Sequence, residues 1–194
     1  MQKNAPTLRF PEFSAEWSEV VLKKVSDLIT KGTTPTSVGF KFEKNGINFV
    51  KVENISNNSN INIESTPKIS NECNLFLKRS ILNKNDILFT IAGTLGRTAL
   101  VKNKDIPANT NQAIAIIRLK LGENIEFVQL ILRSNKIKKR IHQLLSVGAQ
   151  PNLSLEQVGN FLIDYPLSLE QKKIASFLSK VDEWIENLKE QKNS

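Results

Sequence analysis

LNKNDILFTIAGTLGRTAL, residues 82–100, carries the densest local pattern in the chain. Behind Asp86, residues 86–92 form a nearly continuous apolar run, as expected of a strand covered on both faces. Gly93-Thr94-Leu95-Gly96 supplies a tight turn, and residues 97–101 return as a second strand. The tip of this hairpin presents Thr94 and Arg97. Two glycines in a turn also suggest a phosphate loop. No Gly-Lys-Ser/Thr follows, however, and the next element reads as strand rather than helix, so that kind of nucleotide site fails on both counts.

Outward from the hairpin, residues 109–119 (NTNQAIAIIRL) predict one further strand, entered through polar Asn111 and Gln112. Upstream, residues 46–52 alternate as a strand, and residues 53–62 (ENISNNSNIN) read as an asparagine-rich loop that cannot be core. Residues 17–22 predict a short strand, and residues 22–29 a turn or two of helix ending at Lys31-Gly32. Gly32-Thr33-Thr34-Pro35 is then a turn with hydroxyls and no large side chain. Its backbone N–H groups and threonine hydroxyls could approach a phosphate, although a plain connector would have the same composition. The opening, with Phe10, Phe13 and Trp17, reads as an extended arm docked on the body. Short strands separated by long polar loops predict a largely β body.

Two long helices complete the pattern. Residues 124–146 place Ile125, Val128, Leu132, Ile137 and Ile141 on an apolar face, and Arg133, Lys136, Lys138, Lys139 and Arg140 on an outer face without acidic residues. Such a face suits a DNA backbone or solvent. After the turn VGAQPNLS, which contains Gln150 and Asn152, residues 161–164 predict a final short strand. The terminal helix, residues 166–191, starts at Ser168 as N-cap with Gln171 as its reciprocal partner. Leu167, Gln171, Ile174, Leu178, Val181, Ile185 and Leu188 recur in alternating steps of four and three, the 3.5-residue period of a coiled coil. Phe177 and Trp184 widen this seam into a stripe. Either a partner helix or the chain's own domain must cover it.

With 194 residues and 40% hydrophobic content, the chain can hold one domain plus an extension. No run approaches 18 apolar residues and the N-terminus has no signal-like apolar core, so a cytoplasmic protein without membrane association is expected. Cys73 stands alone, which rules out an internal disulfide and a cysteine zinc site. His142 is the only histidine, so metal sites and triad chemistry are poorly supported; neither metal nor cofactor is expected. Residues 21–146 carry 20 Lys/Arg against 9 Asp/Glu, whereas the flanks together are slightly acidic. A basic body suggests a polyanion partner, and a near-neutral helix a protein partner. The 21 asparagines suit adenine reading, and equally the codon bias of an A·T-rich genome. The chain has no Pro-Pro pair for an amino-methyltransferase motif and no Walker lysine. Catalysis is therefore not expected from this chain.

In this order, the stretches LRFPEF with Trp17, KGTTP (residues 31–35), FVKVENI (49–55), NDILFTIAGTLGRTALV (85–101), the Gln112 region, GAQPNLS (148–154) and PLSLEQKKIASFLSKVDEWI form a set that resembles one half of the specificity subunit of type I restriction-modification enzymes. The resemblance implies an α+β fold: a target recognition domain over residues 1–165, with a curled, mainly antiparallel sheet and flanking helices, and a coiled-coil spacer helix over residues 166–194. It implies double-stranded DNA as ligand and modification (methyltransferase) and restriction subunits as partners. Full-length members contain two such units with paired helices, each unit reading half of a bipartite target. A single unit leaves a homodimer through the terminal helix open. On this basis Lys31, Thr33, Thr34, Lys51, Arg79, Thr94, Arg97, Asn111, Gln112, Gln150 and Asn152 are expected at the DNA face. Ile174, Phe177, Leu178, Val181, Trp184, Ile185 and Leu188 are expected to pair helices. The alternative is an interaction scaffold or decoy that binds modification subunits without productive DNA recognition.

Overall fold

The computed structural model describes residues 6–147 and 152–193. In chain order, β1 (Ser18–Val21) leads through one helical turn, α1 (Leu22–Val25), into β2 (Ser26–Lys31). Next come β3 (Phe42–Glu43), β4 (Ile47–Val50), β5 (Lys68–Ile69) and α2 (Asn71–Phe76), then β6 (Ile87–Thr90), β7 (Thr98–Leu100), β8 (Ala108–Thr110) and β9 (Ile114–Leu119). Helices α3 (Ile125–Leu132), α4 (Asn135–Val147) and α5 (Leu155–Gly159) precede β10 (Leu162–Tyr165) and the terminal α6 (Ser168–Asn193).

Strict alternation along β6 and β9 builds the layers. Ile87, Phe89, Ala115 and Ile117 face one way, into a core shared with Leu22, Val128, Leu132, Ile137, Val158 and Phe161 from the helices. Leu88, Ile114 and Ile116 face the other way, against Val50, Ala99 and Ala108. The central antiparallel sheet, β2-β9-β6-β7, therefore lies between a helical layer and a second sheet, β3-β5-β4-β8. This explains why the 86–92 run is apolar throughout. A third cluster, Phe49, Ile69, Cys73 and Leu77, closes the outer face of the second sheet. β1 and β10 form a separate antiparallel ribbon.

Several expectations change. The fold is α+β with antiparallel sheets, but in place of one curled sheet there are two four-stranded sheets and a ribbon, and β4–β8 is a parallel pair. No coiled coil is formed among the described residues; α6 is a single 26-residue helix. Of residues 22–29, expected as helix, only 22–25 are helical; 26–29 belong to strand β2, since β9 offers them a ladder from Ser26 to Lys31. The single strand expected over 109–119 is two strands in different sheets, bent where Asn111 Oδ1 accepts a bond from Ala113 N–H at 3.0 Å. The long helix over 124–146 breaks at Arg133-Ser134, and Ser134 Oγ accepts from Ile137 N–H at 3.4 Å to start α4. The asparagine-rich loop is partly core: Ile55 and Ile61 pair in an isolated bridge and, with Asn54, are buried. At the start of α6, Gln171 Nε2 donates to Pro166 O at 2.8 Å, which closes the first turn without a Ser168 capping box.

The N-terminal arm docks as expected, and it docks on α6. Glu170, buried, accepts from Arg9 Nε at 2.6 Å, Arg9 Nη2 at 2.7 Å and Trp17 Nε1 at 3.0 Å. Hydrogen bonding to Arg9 holds the Glu170 carboxyl below its ordinary range and raises Arg9 in turn. Phe10 meets Phe177 edge-on, with ring centres 5.7 Å apart.

Candidate nucleic-acid interface

Strand register decides which loops meet. Lys31 at the end of β2 pairs with Ala115, Thr90 at the end of β6 with Ile114, and Phe89 with Thr98 at the start of β7. The end of β2, the start of β9 and the 93–97 hairpin tip therefore leave the central sheet at the same edge. Leu153 N–H donates to Ile91 O at 2.9 Å and brings Asn152 to that edge. β4 lies parallel to β8 with Val50 opposite Thr110, and Thr110 Oγ1 donates to Val50 O at 2.8 Å, so Lys51 sits beside Asn111. Lys31, Thr33, Thr34, Lys51, Thr94, Arg97, Asn111, Gln112 and Asn152 are thus gathered at one sheet end. Arg79 is exposed on the 78–80 turn, which packs against β2 and is tied to β8 by Ser80 Oγ donating to Asn109 Oδ1 at 2.7 Å. Gln150 lies outside the described residues.

Contacts within this group divide anchors from free polar groups. Gly32 N–H donates to Asn111 O at 3.1 Å, and a Cβ on Gly32 would fall 1.7 Å from Thr110 O. Only glycine allows the threonine turn to lie this close to β8. Thr34 Oγ1 donates to Gln112 Oε1 at 2.6 Å, which leaves both amide N–H bonds of Gln112 for another acceptor. Asn111 uses its oxygen on Ala113 and likewise keeps its N–H pair. The Lys51 ammonium stands 4.7 Å from the centre of the Phe42 ring. Arg97 Nη1 donates to Ile55 O at 3.2 Å, while its backbone N–H donates to Thr90 Oγ1 at 2.9 Å, so its tip position is held from two sides. Among the described residues, Lys31, Lys51, Arg79 and Arg97 make no ion pair. An uncompensated, hydrogen-bond-donating surface of this kind can bind phosphates and read base edges.

Residues 14–194 match the family of the type I restriction modification DNA specificity domain. The chain belongs to that family. The specificity subunit of the type I restriction enzyme EcoBI from Escherichia coli is 27% identical over 183 residues, 92% of this chain and 38% of that protein. The MjaIX specificity subunit of Methanocaldococcus jannaschii is 28% identical over 177 residues, 88% of this chain and 39% of its own length. The chain thus spans about two-fifths of these relatives. The HsdS subunit from Thermoanaerobacter tengcongensis superposes with a TM-score of 0.63 at 19% identity, over 93% of this chain and 41% of its own. A chain from a structure describing assembly and conformational transition of the type I R-M system gives 0.66 at 19% identity, over 93% of this chain and 42% of its own.

Within this specificity domain the basic helix face is less free than its composition suggests. Lys136 Nζ reaches Glu19 at 2.5 Å and Asp164 at 2.6 Å, and Arg133 Nη1 reaches Asp182 at 3.1 Å. Burial lowers the Lys136 pKa, but its bonds to Asp164 and Glu19 outweigh that and leave it raised. The acids come from β1, β10 and α6, which helix periodicity could not reveal. The expected pairing stripe is also divided. Ile174, Phe177 and Leu178 line an apolar cavity of about 310 Å³ together with the arm residues Leu8, Phe10 and Trp17. Val181 is half-buried, whereas Trp184, Ile185 and Leu188 are 71%, 45% and 65% exposed. Sequence reading missed the loop over 56–60 and the α3–α4 junction, which wall a cleft beside Thr94 and Arg97. Its signals in the sequence were the basic cluster over 133–140, two of whose members, Arg133 and Lys138, line it, and the asparagine run at 57–60.

Proposed function

We propose that this chain is a DNA-reading specificity component of a type I restriction-modification enzyme. In this reading, residues 1–165 form a target recognition domain that reads one half of a bipartite sequence, and residues 166–194 form its spacer helix. Family membership supports this, and the observation that carries it at residue level is the gathering of nine polar candidates at one sheet end, with no carboxylate among the described residues paired to their cations. Adenine methylation and DNA cleavage would be carried out by modification and restriction subunits, in the cytoplasm. Major-groove reading would use Arg97 on guanine and Asn111, Gln112 or Asn152 on adenine, with Lys31 and Lys51 on phosphates.

The exposed Trp184, Ile185 and Leu188 support a second contact, a helix from another subunit or from a second copy of the chain. The 26 residues of α6 would extend roughly 39 Å at about 1.5 Å per residue. That is close to one turn of B-DNA at about 34–36 Å, so the helix could set the spacing between two recognition units. A homodimer would then read a symmetric site. The same exposed face suits the scaffold or decoy reading, and one experiment separates the two. Selection from a randomised duplex pool, with the modification subunit present, should enrich a defined half-site; no enrichment would favour the scaffold. Arg97→Ala should weaken the enriched half-site roughly tenfold or more. Unchanged affinity and salt dependence would remove the hairpin tip from the interface.

A further inference from the structure

Beside the hairpin tip lies an open cleft of about 540 Å³, lined by Asn57, Thr94, Arg97, Arg133, Ser134 and Lys138 among others, with three cations and no carboxylate. A second cleft of about 600 Å³ shares Asn57 and Arg133 and continues to α6, where Asp182 and Glu183 enter its wall. Asn57 thus stands where the two meet; the second cleft is mixed in charge, with Lys102, Arg133 and Lys189 beside Asp182 and Glu183, whereas the charges lining the first are all positive. Phosphates are drawn most strongly to the first part, where no carboxylate offsets Arg97, Arg133 and Lys138.

The loop that holds Asn57 is organised by Ser56. Ser56 N–H donates to Asn60 O at 3.0 Å, Asn60 N–H donates to Ser56 Oγ at 3.1 Å, and Ser59 N–H donates to Ser56 O at 3.1 Å. Ser59 takes a left-handed backbone (φ 64°) and its hydroxyl meets Thr98 Oγ1 at 3.3 Å, fixing the loop to β7. The Ile55–Ile61 bridge anchors its base in the core. Neighbouring amides are occupied: Asn58 Oδ1 accepts from Ser56 Oγ, and Asn60 Oδ1 accepts from Lys102 Nζ at 3.0 Å. Among the described residues the Asn57 side chain makes no hydrogen bond, although it is carried on a loop held by the bonds around Ser56 and Ser59. A rigid loop presenting one unspent donor-acceptor pair loses little entropy on binding.

Its chemistry selects the ligand. A carboxamide offers one acceptor and two donors side by side, the complement of adenine N6–H and N7 in the major groove. Lys138 and Arg133 line the same cleft, and the ion pair that Arg133 makes is an exposed one with Asp182, of the sort that water and salt largely cancel. We propose that this cleft takes the major-groove edge of a DNA duplex, with Asn57 reading an adenine while Arg133 and Lys138 hold neighbouring phosphates. The inference rests on the DNA-reading function proposed above and adds a specificity residue to it.

The test is selection from a randomised duplex pool by the full chain with its modification subunit, in parallel for wild type, Asn57→Ala and Lys138→Ala. Wild type should enrich a motif containing adenine. Asn57→Ala should lose preference at one adenine position by roughly ten- to a hundredfold and keep the others. Lys138→Ala should keep the motif and flatten the log affinity against log salt slope by about one. Asn57→Ala removes no internal hydrogen bond, so its melting curve should match wild type. If wild type enriches a motif and Asn57→Ala enriches the same one equally, or loses preference at a base other than adenine, the inference falls and DNA reading stands. If wild type enriches nothing, both fall.

Discussion

Gly32 shows how one residue positions the sheet end. A methyl group there would overlap the backbone carbonyl of Thr110, which belongs to a paired strand and has no room to retreat. Gly32→Ala should destabilise the fold by about 1–3 kcal/mol, as overpacking does, read as a lower urea midpoint, and should break the Thr34–Gln112 bond with it. An unchanged midpoint would mean the turn gives way without strain. Glu170 makes a different case, because its role depends on charge. Its pKa is held down in the folded chain by Arg9 first and also by Trp17. Its stabilisation is therefore present above the carboxyl's unfolded pKa of about 4.3 and is lost as pH falls through the depressed folded value. Trp17 fluorescence, followed in a Trp184→Phe background, should report release of the arm only in that acid range. Glu170→Gln should move the release to neutral pH, and a pH-independent signal in the parent would sever Glu170 from arm docking.

At the scale of elements, what was legible followed from periodicity and what was missed followed from tertiary pairing. The hairpin over 82–100 was readable because strand, turn glycines and return strand are contiguous; the left-handed φ of 69° at Gly93 and 78° at Gly96 is the turn their presence announced. Asn111 could be read as a polar DNA candidate but not as the side chain that bends two strands into separate sheets, since that requires knowing that β4 lies beside β8. Ser134 was a missed cap within a pattern apolar enough to look like one helix. The seam of α6 was visible in full, yet only the structure shows that the N-terminal arm meets its first half, around Ile174, Phe177 and Leu178, with Phe177 still 53% exposed, and leaves its second half without the arm. That division makes a prediction. Ile185→Asp with Leu188→Asp should leave the melting temperature of the monomeric chain nearly unchanged, because both side chains are exposed. It should also abolish any dimer seen by sedimentation at high micromolar concentration. A strictly monomeric parent would assign this face to another subunit or to none.

For the molecule as a whole, the acid residues that pair are as informative as the bases. Of six ion pairs among the described residues, five take their carboxylate from the flanks: Glu12, Glu19, Asp164, Glu170 and Asp182. Only Asp86, with Arg118, comes from the basic body. The flanking acids thus neutralise cations on the arm and helical side. Lys31, Lys51, Arg79, Arg97 and Lys138 are left without ion pairs toward the sheet end and its adjoining cleft. Composition gave the charge of the body, but not which of its cations the flanking acids reach, because ion pairing crosses elements far apart in the chain. Each cation that meets a phosphate contributes about 0.9 to the slope of log affinity against log salt, so full engagement of these five would give about −4.5. Lys31→Gln with Lys51→Gln should reduce that slope by nearly two. Lys173→Gln should leave it unchanged, since Lys173 bonds Glu12 at 2.5 Å and stands over the Phe10 ring on the arm side. Equal losses from the two substitutions would mean that DNA responds to the total charge of the chain, and the sheet end would then have no claim to be its binding face.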